Sequence, residues 1–495
     1  MLILHRAERT DTLADALAEV LAHPLGDPMR PEIVSVPAAG VERWLAQHLA
    51  RRLGAGAGDD GIAANIDFTG PPRLADAIVA AVLGDTRLNT SGSLTAPDDP
   101  WRASELTWPV LRVLDDRVDD PALDVIARHI GAGDTSSPRV GRRYATARHL
   151  AELFDRYGRS RPSLIADWAA GHDLDGAGRP LRDDLAWQPG FWRAVRAEIG
   201  RPHPAEDLAA VCDRLRTDPA AGGLPERLSV FGPTRITESF RQIAAAAAVH
   251  HDVHLFVPHP SPRLWAELGA LVNLDSGNGV PPRRGECELP ELRNPLLAGL
   301  SRDLQELQLR LAPIVDRDLH HVPRESVLGD TALHVVQSGI RDDLAPAPGL
   351  TDTSDQTDTS DPTVSADPSV EVHACHGPER QIEVLRDRLL HLFAADPELQ
   401  PRDVLIMCPD VETFAPLIRG AFGQAGLPHP AFDLRVRLAD RGIRHVNPIL
   451  DVIVGVVELA AGRVTAGDVV DLLGAPPGRT RVAMTDDDPD LIRGC

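Results

Sequence analysis

Residues 31–49 read Pro-Glu-Ile-Val-Ser-Val-Pro-Ala-Ala-Gly-Val-Glu-Arg-Trp-Leu-Ala-Gln-His-Leu. The run at 31–36 predicts a buried strand, the segment Pro37-Ala38-Ala39-Gly40 predicts a tight turn, and residues 41–49 predict a helix. A strand that passes through a short turn into a helix is the unit from which parallel sheets are built. This stretch therefore places the chain in the α/β class.

The chain contains no lysine, so all 51 of its basic residues are arginine. A working phosphate-binding P-loop needs a lysine that reaches the β and γ phosphates, and a Ser or Thr that holds magnesium. The turn at 37–40 is therefore predicted to be a degenerate P-loop, and no cofactor is expected in this chain. An ordinary loop between strand and helix is the alternative interpretation.

The same alternation of strand-like and helical patterns recurs along the chain. Strands are predicted at residues 2–5, 33–36, 228–231, 253–257, 333–337, 370–374 and 404–408, and helices at 12–22, 239–248, 379–393 and 448–460. Between about residues 72 and 216 the strand patterns disappear, which predicts an all-helical insertion within a parallel-sheet domain.

Five segments follow from these patterns. Residues 1–71 and 217–344 form the two parts of one α/β domain, and 72–216 form the helical insertion. Residues 345–369 are rich in Asp, Thr, Ser and Pro and too poor in apolar side chains to fold, so a disordered acidic linker is predicted. Residues 370–495 begin a second α/β domain that looks incomplete, so the chain is expected to be the front part of a larger protein.

The net charge of −22 opposes nucleic-acid binding over the whole surface, because an acidic body repels phosphates except where positive charge is concentrated. The five cysteines include no CxxC pair, so neither disulfides nor a zinc site is expected, and the predicted compartment is the reducing cytoplasm. A metal site at His373, Cys375 and His376 has unsuitable spacing. The acidic run at 486–490 is interpreted as a solvated tail, and no membrane-spanning run is present.

Positive charge is concentrated at residues 139–161. This segment holds seven arginines and both tyrosines of the chain: Arg139, Arg142, Arg143, Arg148, Arg156, Arg159, Arg161, Tyr144 and Tyr157. Guanidinium groups that follow a backbone, interleaved with flat side chains on which bases stack, are the combination that single-strand binding uses. The segment is therefore a candidate DNA-binding patch.

The same segment also has a purely structural interpretation. Leu150, Leu153, Phe154 and Tyr157 recur at helical spacing and predict an apolar helix face. Arg148, Glu152, Asp155 and Arg159 share another face, where opposite charges at this spacing stabilise a helix. DNA contact and structural salt bridges both remain open.

Eight further segments form long and specific motifs. They are Gly-Ile-Ala-Ala-Asn-Ile-Asp-Phe at 61–68, Leu-Phe-Asp-Arg-Tyr at 153–157 followed by Arg161-Pro162, Ala-Trp-Gln at 186–188 with Trp192, Asn-Pro-Leu-Leu-Ala at 294–298, His-Val-Val-Gln-Ser at 334–338, His-Ala-Cys-His at 373–376, Glu-Val-Leu-Arg-Asp-Arg-Leu-Leu at 383–390 and Pro-Arg-Asp-Val at 401–404. Taken in order, these segments resemble the RecC family, the gamma chain of the RecBCD helicase-nuclease (exodeoxyribonuclease V). They span essentially the whole chain, which would be the N-terminal portion of a typical member.

The resemblance implies a superfamily 1 helicase-like fold that has lost its ATP site. It also implies RecB-like and RecD-like partner subunits, in which ATP and magnesium are expected, and contact with single-stranded and forked double-stranded DNA. In this family the 3′ strand passes through a channel where the recombination hotspot Chi is read.

The channel positions that the resemblance implies form two groups. They are Pro37, Ala39, Arg43, Gly70 and Asp76, and then Glu152, Leu153, Asp155, Arg156 and Arg161. The first group departs from the family pattern, because Pro37, Ala39 and Gly70 provide almost no side-chain donors for base edges. Chi recognition is therefore expected to be altered or absent.

The sequence thus predicts a non-catalytic DNA-binding subunit of a RecBCD-type enzyme in double-strand break repair and recombination, with no membrane contact. The predicted DNA-binding residues are Arg43, Arg142, Arg143, Tyr144, Arg148, Glu152, Leu153, Asp155, Arg156, Tyr157 and Arg161. An active ATP-dependent DNA helicase and a structural scaffold without DNA contact are the two alternatives.

Overall fold

The structure, a computed structural model, describes residues 1–27, 29–54, 61–84, 99–133, 142–275, 289–322, 331–345, 369–422, 434, 436–438, 447–461 and 464–482. These residues belong to two compact units, Met1–Ser369 and Val370–Cys495. Arg139, most of the predicted linker (346–368) and the acidic run at 486–490 lie outside the described residues, so the predictions made for them stay predictions.

A six-stranded sheet forms the centre of the first unit. Its strands are β1 (Leu2–Ala7), β2 (Glu32–Ser35), β3 (Ile66–Thr69), β4 (Arg227–Phe231), β5 (Asp252–Pro258) and β6 (Arg317–His320). Their order across the sheet is β3-β2-β4-β5-β1-β6, and every described pairing is parallel. The predicted α/β class with a parallel sheet is therefore confirmed.

Helices connect the strands and form separate layers around them. Those of the first unit are α1 (Thr10–Leu21), α2 (Ala39–Ala50), α3 (Pro71–Leu83), α4 (Ala103–Asp116), α5 (Asp124–Ile130), α6 (Arg142–Ser160), α7 (Pro162–Ala169), α8 (Gln188–Ile199), α9 (Pro204–Thr217), α10 (Glu238–Ala247), α11 (Pro262–Asp275), α12 (Pro295–Leu300), α13 (Arg302–Leu311) and α14 (Ala332–Arg341). Those of the second unit are α15 (Gly377–Ala395), α16 (Val411–Phe422), α17 (Pro448–Ala461), α18 (Ala466–Gly474) and α19 (Pro476–Val482).

The two faces of the sheet are buried in separate apolar cores, as a parallel sheet requires. Leu4 and Leu255 point to a core shared with α3, α9 and α10. Val34 and Phe256 point to the opposite core, which α1 and α2 cover. Central strands with two buried faces read as continuous apolar runs, which is why β1, β2, β4 and β5 were predicted correctly.

The turn after β2 is shorter than the sequence predicts. Ala38 is the extended N-cap residue (φ −155°, ψ 153°), and α2 already begins at Ala39. Ala39 and Gly40 therefore lie in the first helical turn, which corrects the predicted turn at 37–40. Alanine favours helix over loop, which explains why α2 begins so early. The described junction is therefore too short to form the loop of consecutive backbone N–H groups with which a P-loop surrounds phosphate.

Helices α4 to α8 pack around a core of their own, here called the helical layer. Its largest buried side chains are Trp101, Phe154, Trp168 and Trp192. Within described residues 99–217 the only β pairing is one isolated bridge between Leu174 and Pro180, so the helical character of this region is confirmed. Helices α3 and α9 pack against the sheet, and the domain boundaries drawn at 72 and 216 remain a prediction.

The sequence prediction assigned one helix to a strand and missed two short strands. The predicted strand at 333–337 lies inside α14, where the Thr331 hydroxyl caps the helix by accepting a hydrogen bond from the His334 amide (3.2 Å). A five-residue segment with only three apolar members fits a strand or a helix equally well, and the threonine cap was the missed signal. Strands β3 and β6 have only four residues each and lie at the sheet edges, so their patterns were too weak to detect.

In the second unit, Ile382 and Leu389 of α15 pack against Ile418 and Phe422 of α16. Neither 370–374 nor 404–408 pairs as a strand within the described residues of this unit, which corrects the strands predicted there. Val372, Leu405 and Met407 are 92%, 84% and 87% exposed. The prediction of a second, incomplete helicase-like α/β domain therefore has no described sheet to support it.

Three histidines form a hydrogen-bonded chain on the sheet face that carries Phe256. His5 on β1 bonds through Nδ1 to His321 Nε2 (2.9 Å) and through Nε2 to His254 Nδ1 (3.0 Å). Burial lowers the pKa of His5 to about 3 and that of His254 to about 4. Between about pH 6.5 and 4.5, both rings therefore stay neutral in the folded protein, whereas they become protonated when the chain unfolds.

The three hydrogen-bonded histidines predict that the folded protein loses stability in acid. A histidine in the unfolded chain titrates near pH 6.5. Below that pH the unfolded state therefore binds protons that the folded state does not bind. The free energy of unfolding should fall as the pH decreases from about 6.5 to 4.5. Each such proton contributes a slope of about 1.4 kcal/mol per pH unit. In His254→Gln the glutamine amide can still bond to His5. Urea denaturation at several pH values should show a slope of unfolding free energy against pH that is lower by about 1.4 kcal/mol per pH unit, the contribution of one proton.

His129→Gln is the control for the loss of a histidine elsewhere, since the exposed His129 lies outside the three hydrogen-bonded histidines. A residual slope is expected in His254→Gln, because burial also lowers the pKa of His203 and of His259 to about 3. Identical slopes for His254→Gln and the parent would show that the His5 chain does not control this pH dependence.

Candidate nucleic-acid interface

Helix α6 carries most of the predicted DNA-binding residues, and its apolar spacing explains how it packs. Ala147, Leu150, Ala151, Phe154 and Gly158 recur every three or four residues and are buried in the first unit. The helix ends at Ser160, and Pro162 begins α7, where proline is tolerated because the first helical N–H needs no partner. Arg161 is the exposed residue that joins the two helices.

A polar network fixes the C-terminal half of α6 to α3 and α4. Arg159 donates to Asp155 (2.7 Å) and to Asp76 of α3 (3.3 Å), and Asp76 also accepts from Arg102 (2.8 Å). Asp155 in turn accepts from the Ala103 amide at the start of α4 (3.3 Å). Burial disfavours the charge on Arg159, but Asp76 and Asp155 outweigh it and raise its pKa. We call this set the Arg159 network.

A close approach of backbone to side chain fixes the same part of α6 to α9. A Cβ atom on Gly158 would lie 2.2 Å from His203 Cε1, so a side chain there would clash. His203 is buried, and its Nδ1 accepts from the Ala205 amide (2.9 Å) to cap α9. Burial lowers the pKa of His203 to about 3, which keeps the ring neutral and able to accept.

The outer face of α6 carries positive charge. Arg142 and Arg156 are exposed and lie fourteen residues apart, which places them on one side of the helix about 21 Å apart along its axis. Arg161 follows just beyond the helix end. Within the described part of the chain, no ion pair is found for Arg142, Arg156 or Arg161. We call these three arginines the arginine track.

The other charged residues of α6 form ion pairs. Arg143 contacts Asp115 of α4 (3.0 Å), and Arg148 contacts Glu152 one turn further along α6 (3.3 Å). Asp155 is held by Arg159. The structural interpretation therefore applies to these ion-paired residues, and DNA contact stays a prediction for the arginine track.

The apolar members of the predicted patch face inwards. Leu153 and Tyr157 pack against the core of the helical layer, and the Tyr157 ring meets Trp168 edge-on at 6.1 Å between centroids. Both side chains are partly buried in these contacts. Tyr157 and Leu153 therefore help to position the helix.

Tyr144 differs from Tyr157, because its ring is 48% exposed. It lies 5.8 Å from the ring of Trp108 on α4, which is 53% exposed. Trp108 was missed from the sequence. The available signal was its position outside the apolar stripe of α4, whose buried members include Leu106 and Val110.

The first group of predicted channel residues lies partly at the carboxyl edge of the sheet. Strands β2 and β3 are adjacent and parallel, and the Val36 amide donates to the Thr69 carbonyl (2.9 Å), so Pro37 and Gly70 follow neighbouring strand ends. Pro37, Ala39 and Arg43 are exposed. Asp76 belongs to the Arg159 network and thereby connects α3 to α6.

Two negative findings apply to the described residues. They contain no group of three or more His, Cys, Asp or Glu side chains that could hold a metal ion. None of the described helices combines the length and the apolar character needed to cross a membrane.

The fold and surface together define an α/β protein whose parallel sheet carries a large helical layer with an exposed arginine track. The family model of the RecC N-terminal domain matches residues 2–343, and the chain belongs to the RecC family. This confirms the resemblance found in the sequence.

The curated relatives are RecBCD enzyme subunits RecC. Those of Mycobacterium tuberculosis and Mycolicibacterium smegmatis are 44% and 42% identical to this chain, and each match covers 99% of the chain and 42% of the relative. That of Escherichia coli is 27% identical over 100% of the chain and 44% of the relative. The chain therefore spans less than half the length of the curated relatives it matches.

The Arg159 network predicts a selective loss of stability. Replacing Arg159 with Met leaves Asp76 and Asp155 half-buried without their shared cation, which should lower the free energy of unfolding by about 3 kcal/mol. The matched control is Arg182→Met, which removes an exposed ion pair with Asp184 (76% and 61% exposed) and should cost less than about 0.5 kcal/mol. Equal losses by urea denaturation would contradict a structural role for the network.

Proposed function

We propose that this chain is a non-catalytic DNA-binding part of a RecBCD-type helicase-nuclease that processes double-strand breaks. The observation that carries the proposal is the arginine track on α6, which stands out on a chain of net charge −22. Membership of the RecC family supports the same conclusion.

The proposed mechanism is positioning without bond-making. The Arg159 network and the Gly158–His203 contact hold α6 against α3, α4 and α9, so the track is presented by a rigid helix. Arginines on a rigid support lose little further freedom when they bind, and their planar groups suit phosphate oxygens. A single strand would lie along the outer face of α6, with phosphates near Arg142, Arg156 and Arg161.

The partners and cofactors are also proposals. The relatives are named as RecC subunits of RecBCD enzymes, so we infer RecB-like and RecD-like partner subunits in the cytoplasm, with ATP and magnesium bound there. Forked duplex DNA would meet the assembled complex. The absence of lysine and the short turn after β2 argue against the alternative of an active helicase in this chain.

Chi recognition is proposed to be altered or absent. The exposed residues Pro37 and Ala39 at the sheet edge bring no side-chain donors or acceptors, and Gly70 caps α3 without a side chain. Bases are distinguished by hydrogen bonds and apolar contacts to their edges. A surface with so few polar side chains has little means of selecting a sequence.

A structural scaffold remains the second candidate, because Arg143, Arg148 and Arg159 all form ion pairs within the chain. A scaffold predicts that charge reversal on the track leaves DNA affinity unchanged. The DNA-binding proposal predicts the opposite, so one experiment separates the two.

Charge reversal on the track tests the proposal. Arg156→Glu and Arg161→Glu should each weaken binding of oligo(dT) at least tenfold in fluorescence anisotropy, because a phosphate contact becomes a repulsion. Across a salt series, each lost contact should reduce the slope of log affinity against log salt by about 0.7. The control is Arg402→Glu in the second unit, an exposed arginine with the same change of net charge.

Equal weakening by all three variants would mean that only net charge matters. Unchanged affinity for Arg156→Glu and Arg161→Glu, with a folded circular dichroism spectrum, would favour the scaffold.

A further inference from the structure

We propose that Trp108 and Tyr144 form a platform on which bases of a single nucleic-acid strand stack. This inference rests on the proposed function, because it assigns a base-contacting surface next to the phosphate-contacting track. The two rings lie 5.8 Å apart between centroids with an interplanar angle of 46°.

The exposure of this pair is not explained by packing in the helical layer. Trp101, Trp168 and Trp192 of the same layer are at most 2% exposed, whereas Trp108 is 53% exposed and Tyr144 48%. The buried stripe of α4 runs through Leu106, Val110, Val113 and Leu114, and Trp108 lies outside it. The chain thus presents two large aromatic rings to solvent within a composition that is only 4% aromatic.

The rings are mounted on two helices that are fixed at both ends. Helices α4 and α6 run antiparallel: Ala103 contacts Asp155 at one end (3.3 Å) and Asp115 contacts Arg143 at the other (3.0 Å). Trp108 and Tyr144 bridge the two helices between these contacts. A platform on fixed helices is preorganised, so little order has to be imposed when a ligand binds.

Arginines flank the platform on both helices. Arg148 lies one turn beyond Tyr144 on α6, and Arg112 lies one turn beyond Trp108 on α4; they are 63% and 66% exposed. Each has a carboxylate partner, Glu152 and Glu198 respectively. Exposed ion pairs of this kind contribute little to stability, so a phosphate can replace the carboxylate at small cost.

The combination of open aromatic faces and flanking guanidinium groups favours a single strand as the occupant. Bases in a duplex already stack on their neighbours and offer no free face. Trp, Tyr and Arg are also enriched at protein interfaces, so a protein partner is the competing outcome of the test below. The single strand is favoured because two rings with neighbouring arginines match the alternation of bases with phosphates.

The test compares two probes of equal length, oligo(dT) and an abasic phosphodiester, on the full 495-residue chain. The parent should bind oligo(dT) about tenfold more tightly, because only oligo(dT) has bases to stack. Trp108→Ala and Tyr144→Ala should each remove most of this preference and leave affinity for the abasic probe and the salt slope unchanged. Trp108→Phe and Tyr144→Phe should keep the preference, because each retains a ring.

The control variant is Val125→Ala, which shortens another exposed apolar side chain of the helical layer (71% exposed) and should change neither affinity. A parent that binds both probes equally, or alanine variants that keep the preference for oligo(dT), would overturn the platform while leaving the arginine track intact. Alanine variants that weaken only assembly with partner subunits would overturn the platform in the same way. A folded parent that binds neither probe would overturn the proposed function and the platform together.

Discussion

The Arg159 network is the constraint on which the candidate interface depends. Asp76 comes from α3, which packs into the sheet core through Leu74 and Ile78, and Asp76 receives Arg159 of α6 and Arg102 at the start of α4. The network joins four charged groups at one largely buried junction, and removing Arg159 leaves the Asp76 and Asp155 carboxylates without the cation they share. The network therefore connects α6 to the sheet through α3, and this connection fixes the direction in which the outer face of α6 points.

Much of the fold was predictable from the sequence because the central strands are apolar on both faces. The strands at 2–5, 33–36, 228–231 and 253–257 were all found. The failures have a common cause, because a segment of four or five residues is too short for its apolar periodicity to distinguish a strand from a helix or a loop. Four-residue edge strands with polar members were missed. The short segments at 333–337 and 404–408 were assigned to strands, although one is helical and the other has no described strand partner.

The candidate interface was predictable only in part. The concentration of arginines and the helical spacing of α6 are visible in the sequence, and so are the pairs Arg148–Glu152 and Arg159–Asp155 within the helix. Which arginines stay outside ion pairs depends on residues far along the chain, such as Asp115 on α4. Trp108 became a candidate only when folding placed it against Tyr144.

The most direct test of the central claim is arginine footprinting. The chain would be modified with phenylglyoxal in the presence and absence of oligo(dT), and the rate at each arginine would be measured by peptide mass spectrometry. The account predicts that DNA slows modification of Arg142, Arg156 and Arg161 and leaves the exposed Arg402 unaffected. Equal rates at the three track arginines with and without bound DNA would contradict the account.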